Sequence, residues 1–234
     1  MVNVNCWCLP VIPINEAQLM KKILVGLFVY QAISAQAGGM ESLENFVRTV
    51  HSGHAEFTQV VTPLPKSGQA GQPSQAAHSR TSIGTFDFVR PDRFRFVYKK
   101  PLAQTIVADG QTLWLYDADL NQVTARKQAA VLATTPAALI SAAPDIKALQ
   151  ADFALAAAPD SEGLEWVTAT PKNKDSSLRS IRLGFRKQAL AVLDILDSFG
   201  QRSVMSFGAL QENGPIDASL FQFKPPAGAD VIRQ

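Results

Sequence analysis

The residues best suited to chemistry are few in this sequence, and their spacing predicts no catalytic set. His51 and His54 are spaced as H-x-x-H, with Glu56 close behind, and this spacing could begin a zinc site. A zinc ion needs several ligands held in a fixed geometry, and no second ligand pair follows. Solvated side chains at a helix end explain the pair more simply. We therefore expect no metal, and no motif predicts another cofactor.

Two pairs of carboxylates could in principle support acid–base catalysis. Asp117 and Asp119 follow a predicted strand, and Asp194 and Asp197 lie at the end of another. Polar turns account for such pairs better than an active site does. The sequence also lacks G-x-S-x-G, a glycine-rich phosphate loop and H-E-x-x-H. These observations predict a protein that is not an enzyme.

Large apolar side chains at alternating positions are the unusual feature of the sequence. In the stretch FDFVRPDRFRFVYKKP (86–101), aromatic residues occupy even positions on both sides of Arg90. Alternate residues of a strand share one face of a sheet. An ordinary sandwich core would explain the pattern, but the apolar face exceeds what two short helices can cover. The excess favours a cavity for a hydrophobic ligand.

The candidate cavity residues are large apolar side chains of the predicted strands and helices. They are Phe57, Phe86, Phe88, Phe94, Phe96, Leu113, Trp114, Leu115, Tyr116, Leu139, Ile140 and Val47. Strand alternation puts Trp114 and Tyr116 on the face opposite to Leu113 and Leu115. The sequence leaves open which of these faces points into the cavity.

The elements that must position these residues are mostly strands. A stripe of apolar residues predicts a helix over 40–50, and alanine-rich sequence with a proline start predicts one or two more over 128–149. The remainder predicts about ten or eleven strands joined by hairpin turns, such as Asp109-Gly110. The fold class is therefore mainly β, with an antiparallel sheet and helices over one face. Residues 63–80 predict a flexible loop.

The N-terminal residues predict export. Residues 20–37 combine two lysines, a short apolar stretch and Ala35-Gln36-Ala37, which together are typical of a cleaved signal peptide. The apolar run is too short for a membrane span. Residues 1–19 are then expected to be an upstream over-extension, and 38–234 a single mature domain. That domain contains no cysteine, since Cys6 and Cys8 precede it.

The composition argues against two classes of partner. The formal charge of the whole chain is +2, and no basic cluster predicts binding to nucleic acid. Beyond residue 37 no segment is apolar enough to embed in a membrane, so the sequence predicts a protein that is not membrane-embedded. The sequence leaves the oligomeric state open, and a monomer is the expectation.

Several stretches spread over the expected mature domain carry a resemblance to a known family. They are AEFTQ (55–59), GTFDFVRPDRFRF (84–96), IVADGQTLWLYDADLNQVT (106–124), TTPAALI (134–140), DSFGQRSVMSF (197–207) and FQFKPPAGADVI (221–232). In these stretches the chain resembles the periplasmic outer-membrane lipoprotein carrier proteins, the LolA family. It departs from the family in a longer 63–80 loop and in Phe96, where tryptophan is frequent.

The resemblance implies an open antiparallel half-barrel with a lid of two or three short helices over an apolar cavity. It implies a chaperone in the periplasm of a Gram-negative cell. Such a carrier accepts acylated lipoproteins from an inner-membrane ABC releasing complex and delivers them to an outer-membrane receptor. Arg90 matches the arginine that hydrogen-bonds backbone carbonyls of the lid, with acceptors expected around Ile140 and Val47. Without the resemblance, a surface salt bridge would be the simpler interpretation of Arg90.

Two alternative functions remain open from the residues. The first is a LolA-like periplasmic sensor or regulatory domain that binds lipid or lipoprotein and signals to a partner. A sensor of this kind would be expected to carry a second domain or a membrane tail, and the sequence predicts neither. The second is a hydrolase of acyl substrates, which the lack of a nucleophile constellation disfavours.

Overall fold

The computed structural model describes residues 38–64, 78–129, 140–141 and 143–234. The expected signal peptide (20–37), the residues upstream of it, most of the 63–80 loop and Leu139 lie outside the described residues. Within the described ranges no helix has the length and apolar character needed to cross a membrane.

Two α-helices have both ends within the described residues: α1 (Gly38–Thr49) and α2 (Ile146–Asp152). The apolar stripe of α1 is buried, with Leu43, Phe46 and Val47 each almost completely inaccessible. The stripe packs against the sheet because burying it removes apolar surface from water. Asp145 caps α2, and its carboxylate accepts a hydrogen bond of 2.8 Å from the Ala148 N–H.

The sheet contains thirteen strands, more than the ten or eleven that the sequence predicts. They are β1 (Ser52–Thr62), β2 (Arg80–Val89), β3 (Arg93–Lys100), β4 (Gln104–Asp109), β5 (Thr112–Asp117), β6 (Gln122–Lys127), β7 (Phe153–Ser161), β8 (Leu164–Pro171), β9 (Leu178–Arg186), β10 (Ala189–Asp197), β11 (Arg202–Phe207), β12 (Gln211–Glu212) and β13 (Asp230–Arg233).

The strands form one open sheet in which most neighbours are antiparallel. The spatial order is β13-β6-β5-β4-β3-β2-β1-β11-β10-β9-β8-β7, and β12 pairs with β1 beside this path. Consecutive strands are neighbours along most of the path, as short hairpin connections require. There are two exceptions: at the centre β11 returns to pair with β1 and joins the two halves of the sheet, and at one edge β13 pairs with β6.

Two sequence expectations about the strands are wrong. The alternation Phe221-Gln222-Phe223 predicts a last short strand, but Phe221 ends a short 3-10 helix, Ala218–Phe221, and residues 222–223 belong to no strand. The sheet is also not wholly antiparallel, because β13 pairs with β6 in parallel. Both β12 and β13 were missed because they are very short and solvent-exposed, so neither shows the alternation that marks a half-buried strand.

The two faces of the sheet are covered by different parts of the chain. One face, which we call the core face, carries the aromatic ladder and packs against α1 along β7–β10. The opposite, outer face is covered over β3–β6 by the C-terminal segment. There Phe221 is buried beneath the Arg93 guanidinium, and the Phe223 ring contacts the rings of Trp114 and Tyr116.

Gly84 allows an unusually close approach between β2 and β3. A Cβ atom at this position would lie 2.1 Å from the Val97 carbonyl oxygen and 2.8 Å from Cζ of Phe57. The pairing of β2 with β3 shifts register between Ile83 and Gly84, which is where the two backbones meet. A glycine is required here because any side chain would occupy space already filled by backbone.

Candidate functional site

The aromatic ladder predicted from the sequence lies on the core face. Cross-strand pairing places Phe86 opposite Phe96 and Phe88 opposite Phe94, and Phe57 lies on the adjacent strand. All five rings are buried. The rings of Phe86 and Phe96 stack at 4.3 Å, and the Phe57 ring meets that of Phe96 edge-on at 5.8 Å. Residues 90–92, which interrupt the aromatic alternation, form the turn between β2 and β3. The aromatic residues before and after the turn therefore lie on the same face of the sheet.

Beside the ladder, the core face contains a cavity of about 250 Å³. Its walls come from six strands and are apolar except for one amide and one phenol. The lining residues are Gln59, Phe94, Phe96, Tyr98, Ile106, Leu113, Leu115, Leu193, Ile195 and Met205. This volume lies below the roughly 300–1,000 Å³ of pockets that hold drug-sized ligands. The cavity as observed is therefore small and lined almost entirely by apolar side chains.

Tyr98 gives the cavity wall its one titratable group. Burial raises the pKa of the Tyr98 phenol to about 12, because the phenolate form would lose its hydration. The side chain packs against Phe57, with the two ring centroids 5.1 Å apart. Tyr98 therefore stays neutral throughout the physiological range and adds no charge to the cavity.

The structure separates the candidate residues of β5 onto the two faces of the sheet. Leu113 and Leu115 line the cavity. Trp114 and Tyr116 lie on the outer face, where both contact Phe223 and the Trp114 Nε1–H donates to Asp109 at 2.9 Å. Assigning Trp114 and Tyr116 to the cavity is therefore wrong, since strand alternation directs them to the other side.

A pair of adjacent residues on β5 provides a matched test of this cavity. We expect Leu115→Asn to weaken binding of a fluorescent long-chain acyl probe by about tenfold, because a polar amide in an apolar wall costs roughly 1–3 kcal/mol. Tyr116→Asn changes the next residue, on the outer face, and should leave probe affinity unchanged. Fluorescence titration measures both, and equal effects of the two substitutions would exclude this cavity as the probe site.

Arg90 connects the β2–β3 turn to two segments that are distant in sequence. Its Nε–H donates to the Ile140 carbonyl at 2.9 Å. Its Nη1 donates to the carbonyl oxygens of Phe46 and Val47 at 3.3 and 2.5 Å. Both carbonyls lie in the last turn of α1, which ends at Thr49, and the Phe46 carbonyl also accepts from the Val50 N–H at 3.0 Å. One planar guanidinium therefore ties the end of α1 and residue 140 to the same turn of the sheet.

The charge of Arg90 is held in an apolar setting. Its guanidinium lies 5.0 Å from the centroid of the Phe46 ring and 5.9 Å from that of Phe88. Burial lowers the pKa of Arg90 to about 10, so the group remains charged at neutral pH. In the described parts of the chain no carboxylate forms an ion pair with it. The salt-bridge interpretation is therefore not observed, and the charge is stabilised by carbonyl dipoles and aromatic faces.

The turn that carries Arg90 is itself fixed by a buried amide. Gln128 is 1% exposed, and its Nε2–H donates to the Asp92 carbonyl at 2.6 Å. Its Oε1 accepts from the Gly110 N–H at 2.9 Å. The Asp92 N–H in turn donates to the Ser141 carbonyl at 3.1 Å. Sequence reasoning missed Gln128, because a single glutamine in an alanine-rich stretch carries no signal of its burial.

The histidine pair does not form a metal site in the structure. His54 lies in β1, and its Nδ1 is 2.6 Å from Oδ1 of Asp87, its cross-strand neighbour on β2. Across residues 38–64, 78–129, 140–141 and 143–234, no group of three or more side chains is placed to hold a metal ion.

These features define a class: a mainly β protein that holds an apolar cavity on one face of a single open sheet. A family model described as outer membrane lipoprotein carrier protein LolA matches residues 48–224. That match covers most of the sequence, so this chain belongs to the LolA family of outer membrane lipoprotein carrier proteins.

Relatives named outer-membrane lipoprotein carrier protein are similar over nearly their whole length. One from Albidiferax ferrireducens is 64% identical over 204 residues, covering 86% of this chain and 93% of the relative. One from Leptothrix cholodnii is 46% identical, covering 86% and 88%. One from Ralstonia nicotianae is 41% identical, covering 94% and 99%. Among solved structures, a LolA superfamily protein from Nitrosomonas europaea matches with a TM-score of 0.44 and 9% identity, covering 80% and 97%.

Proposed function

We propose that this protein is a periplasmic carrier of acylated lipoproteins and holds their acyl chains on the core face of the sheet. The observation that carries the proposal is the apolar cavity whose walls come from six strands, on the same face of the sheet as a helix whose end is bound by Arg90. Membership of the LolA family supports it, as do relatives that are named for this role. The carrier performs no chemical reaction on its cargo.

Moving the acyl chains of a lipoprotein from a bilayer into water has a large free-energy cost. Each buried methylene contributes about 0.8 kcal/mol, so an acyl chain of about sixteen carbons resists entering water by roughly 12 kcal/mol. Several chains on one lipoprotein would in practice never leave a bilayer without a protein that offers a comparable apolar surface. The broad wall of aliphatic and aromatic side chains on the core face is suited to this, because it binds by area and imposes little shape selection.

In this proposal α1 and the segment around residue 140 form a lid on an open half-barrel. The cavity of about 250 Å³ is too small for acylated cargo while the lid is closed. Closure by Arg90 keeps apolar surface away from water and so limits self-association of the empty carrier. Incoming acyl chains displace the lid because their burial outweighs a few hydrogen bonds, each worth roughly 1.5–3 kcal/mol to a charged group.

The partners in the proposal are the acylated lipoproteins, an inner-membrane ABC releasing complex and an outer-membrane receptor. The location is the periplasm, which the family implies and the predicted signal peptide supports. No cofactor, metal or nucleic acid takes part.

A reconstituted release experiment tests the proposal. Mature protein is incubated with inner-membrane vesicles that contain the releasing complex and a radiolabelled lipoprotein. We expect the lipoprotein to appear in the soluble fraction, intact and bound to this protein, and then to transfer to an added receptor. Cleavage of the acyl groups would indicate a hydrolase. Binding without onward transfer would indicate a sensor, and either result would contradict the proposal.

A further inference from the structure

The exposed apolar side chains are concentrated at one end of the sheet. Four of the large ones occupy turns or strand ends there, and we call them the apolar rim: Leu64, Leu102, Leu120 and Phe199, which are 57%, 60%, 70% and 82% exposed. Single exposed apolar residues are ordinary on a protein surface. Their grouping is not, because the end that carries Arg90 shows no large apolar side chain of comparable exposure among the described residues.

Strand register places the four rim residues together at this end. β1 ends beside the start of β2 and of β11, since Val61 pairs with Arg80 and Thr62 pairs with Arg202. The β3–β4 turn, with Leu102, lies at the same end because Tyr98 pairs with Gln104. The β5–β6 turn, with Leu120, also lies there because Gln104 pairs with Asp117. Leu64 also lies against the turn that carries Phe199, as a Cβ atom on Gly200 would be 2.4 Å from Leu64 Cδ1.

A hydrogen-bonded turn keeps the Phe199 side chain exposed to solvent. The Asp197 carboxylate accepts from the N–H groups of Phe199 and Gln201 at 2.9 and 2.8 Å. Gly200 has a φ of 81°, which a glycine adopts without strain, and its N–H donates to the Asp197 carbonyl. A flexible loop could fold an aromatic ring onto the protein, whereas this turn fixes the ring outward.

The rim adjoins the cavity. Three cavity residues lie within three positions of strand ends at the rim: Gln59 on β1, Tyr98 on β3 and Ile195 on β10.

Charge is distributed unevenly along the apolar rim. Lys99 and Lys100 are exposed beside Leu102, whereas Asp117 and Asp119 accompany Leu120. Near Phe199, the positive charge of Arg202 is balanced by the Asp194 carboxylate, to which Arg202 donates two hydrogen bonds. The Leu102 turn is therefore a cationic part of the rim, and Arg80 at the start of β2 is a further exposed cation at this end of the sheet.

We propose that the apolar rim is a docking surface for an anionic lipid bilayer. Leu102 and Phe199 enter the interface between headgroups and acyl chains, and Lys99 and Lys100 contact anionic headgroups. Apolar side chains flanked by lysines are the combination that binds such an interface, since burial and electrostatic attraction add. The contact would be weak and reversible, because only a few side chains are involved. The inference goes beyond the carrier function, since it concerns the empty protein and lipid alone.

Flotation of the cargo-free mature protein with lipid vesicles tests this proposal. We expect binding at low salt to vesicles of phosphatidylcholine mixed with phosphatidylglycerol, and weaker binding at high salt. The double variant Leu102→Ser/Phe199→Ser should lose at least about tenfold in apparent affinity, since two apolar side chains no longer leave water. Phe199→Trp should bind at least as well as the wild type. Unchanged thermal unfolding midpoints would show that the exposed substitutions leave the fold intact.

Charge variants test whether vesicle binding depends on the two lysines beside Leu102 or only on the total positive charge of the protein. Lys99→Gln/Lys100→Gln should lower binding to anionic vesicles and leave binding to phosphatidylcholine vesicles unchanged. The matched control is Lys127→Gln/Lys187→Gln, which removes the same charge at the opposite end of the sheet and should bind like the wild type. Absence of wild-type binding to anionic vesicles would overturn the proposal. A rim variant that binds vesicles normally but fails to receive cargo from the releasing complex would also overturn it, and would assign the rim to a protein partner.

Discussion

Replacing Arg90 with leucine should leave cargo loading intact and reduce onward transfer to the receptor by at least about tenfold. Leucine removes the donors to the Ile140, Phe46 and Val47 carbonyls. It also removes the charge that lies over the Phe46 and Phe88 rings. In the proposed function, delivery is favoured by the return to the closed state, in which these hydrogen bonds reform. Loss of a single charged hydrogen bond already exceeds the 1.4 kcal/mol that corresponds to tenfold.

The experiment follows a radiolabelled lipoprotein from inner-membrane vesicles to the carrier and then to the receptor. Arg179→Leu is the matched control, since Arg179 is exposed near the start of β9, at the end of the sheet opposite to Arg90. Arg90→Lys should be intermediate, because one ammonium keeps the charge but cannot span all three carbonyls. Normal transfer by Arg90→Leu would exclude the closing role proposed for this residue.

The second large effect is on stability: Gly84→Ala should lower the free energy of unfolding by about 3 kcal/mol. The added methyl group would lie 2.1 Å from the Val97 carbonyl oxygen, so β2 and β3 must separate where their backbones approach most closely. The Phe57 ring, 2.8 Å from the new atom, must move as well. For a domain of this size the thermal midpoint should fall by roughly 6–12 °C.

Urea and thermal unfolding of the two proteins measure this loss. Gly214→Ala is the control, because a Cβ atom at Gly214 meets nothing within 4 Å, and we expect a change within about 0.5 kcal/mol. If Gly84→Ala unfolded at the wild-type urea concentration, the strands would have to be able to separate here without cost, which contradicts the packing described.

Much of the fold could be predicted from local patterns. The period of two in 86–98 predicted β2, β3 and their shared buried face, because adjacent strands bury the same alternate positions. The same reasoning could not decide between Leu115 and Tyr116. Alternation separates the faces of a strand but does not say which one the core occupies. That choice depends on the C-terminal segment, whose Phe223 covers the outer face.

The parts that could not be predicted depend on contacts between distant segments. β13 is four exposed residues and exists because the β6 backbone offers hydrogen bonds, which leaves no pattern in its own sequence. The acceptors of Arg90 are backbone carbonyls, which every residue has, so composition cannot reveal them. The family resemblance indicates their general location, whereas the three individual bonds depend on how the fold brings α1 and residue 140 to the β2–β3 turn.

The buried amide of Gln128 has a practical consequence for testing the proposed lid movement by spectroscopy. It anchors the Asp92 carbonyl to the Gly110 turn from the sheet side. The Asp92 N–H faces the opposite way, towards Ser141. In the proposed function the β2–β3 turn would be a stationary reference point, and displacement during opening would fall on α1 and residue 141. A pair of spin labels, one at exposed Arg48 on α1 and one at exposed Gln111 beside the anchored turn, would convert that displacement into a single interlabel distance.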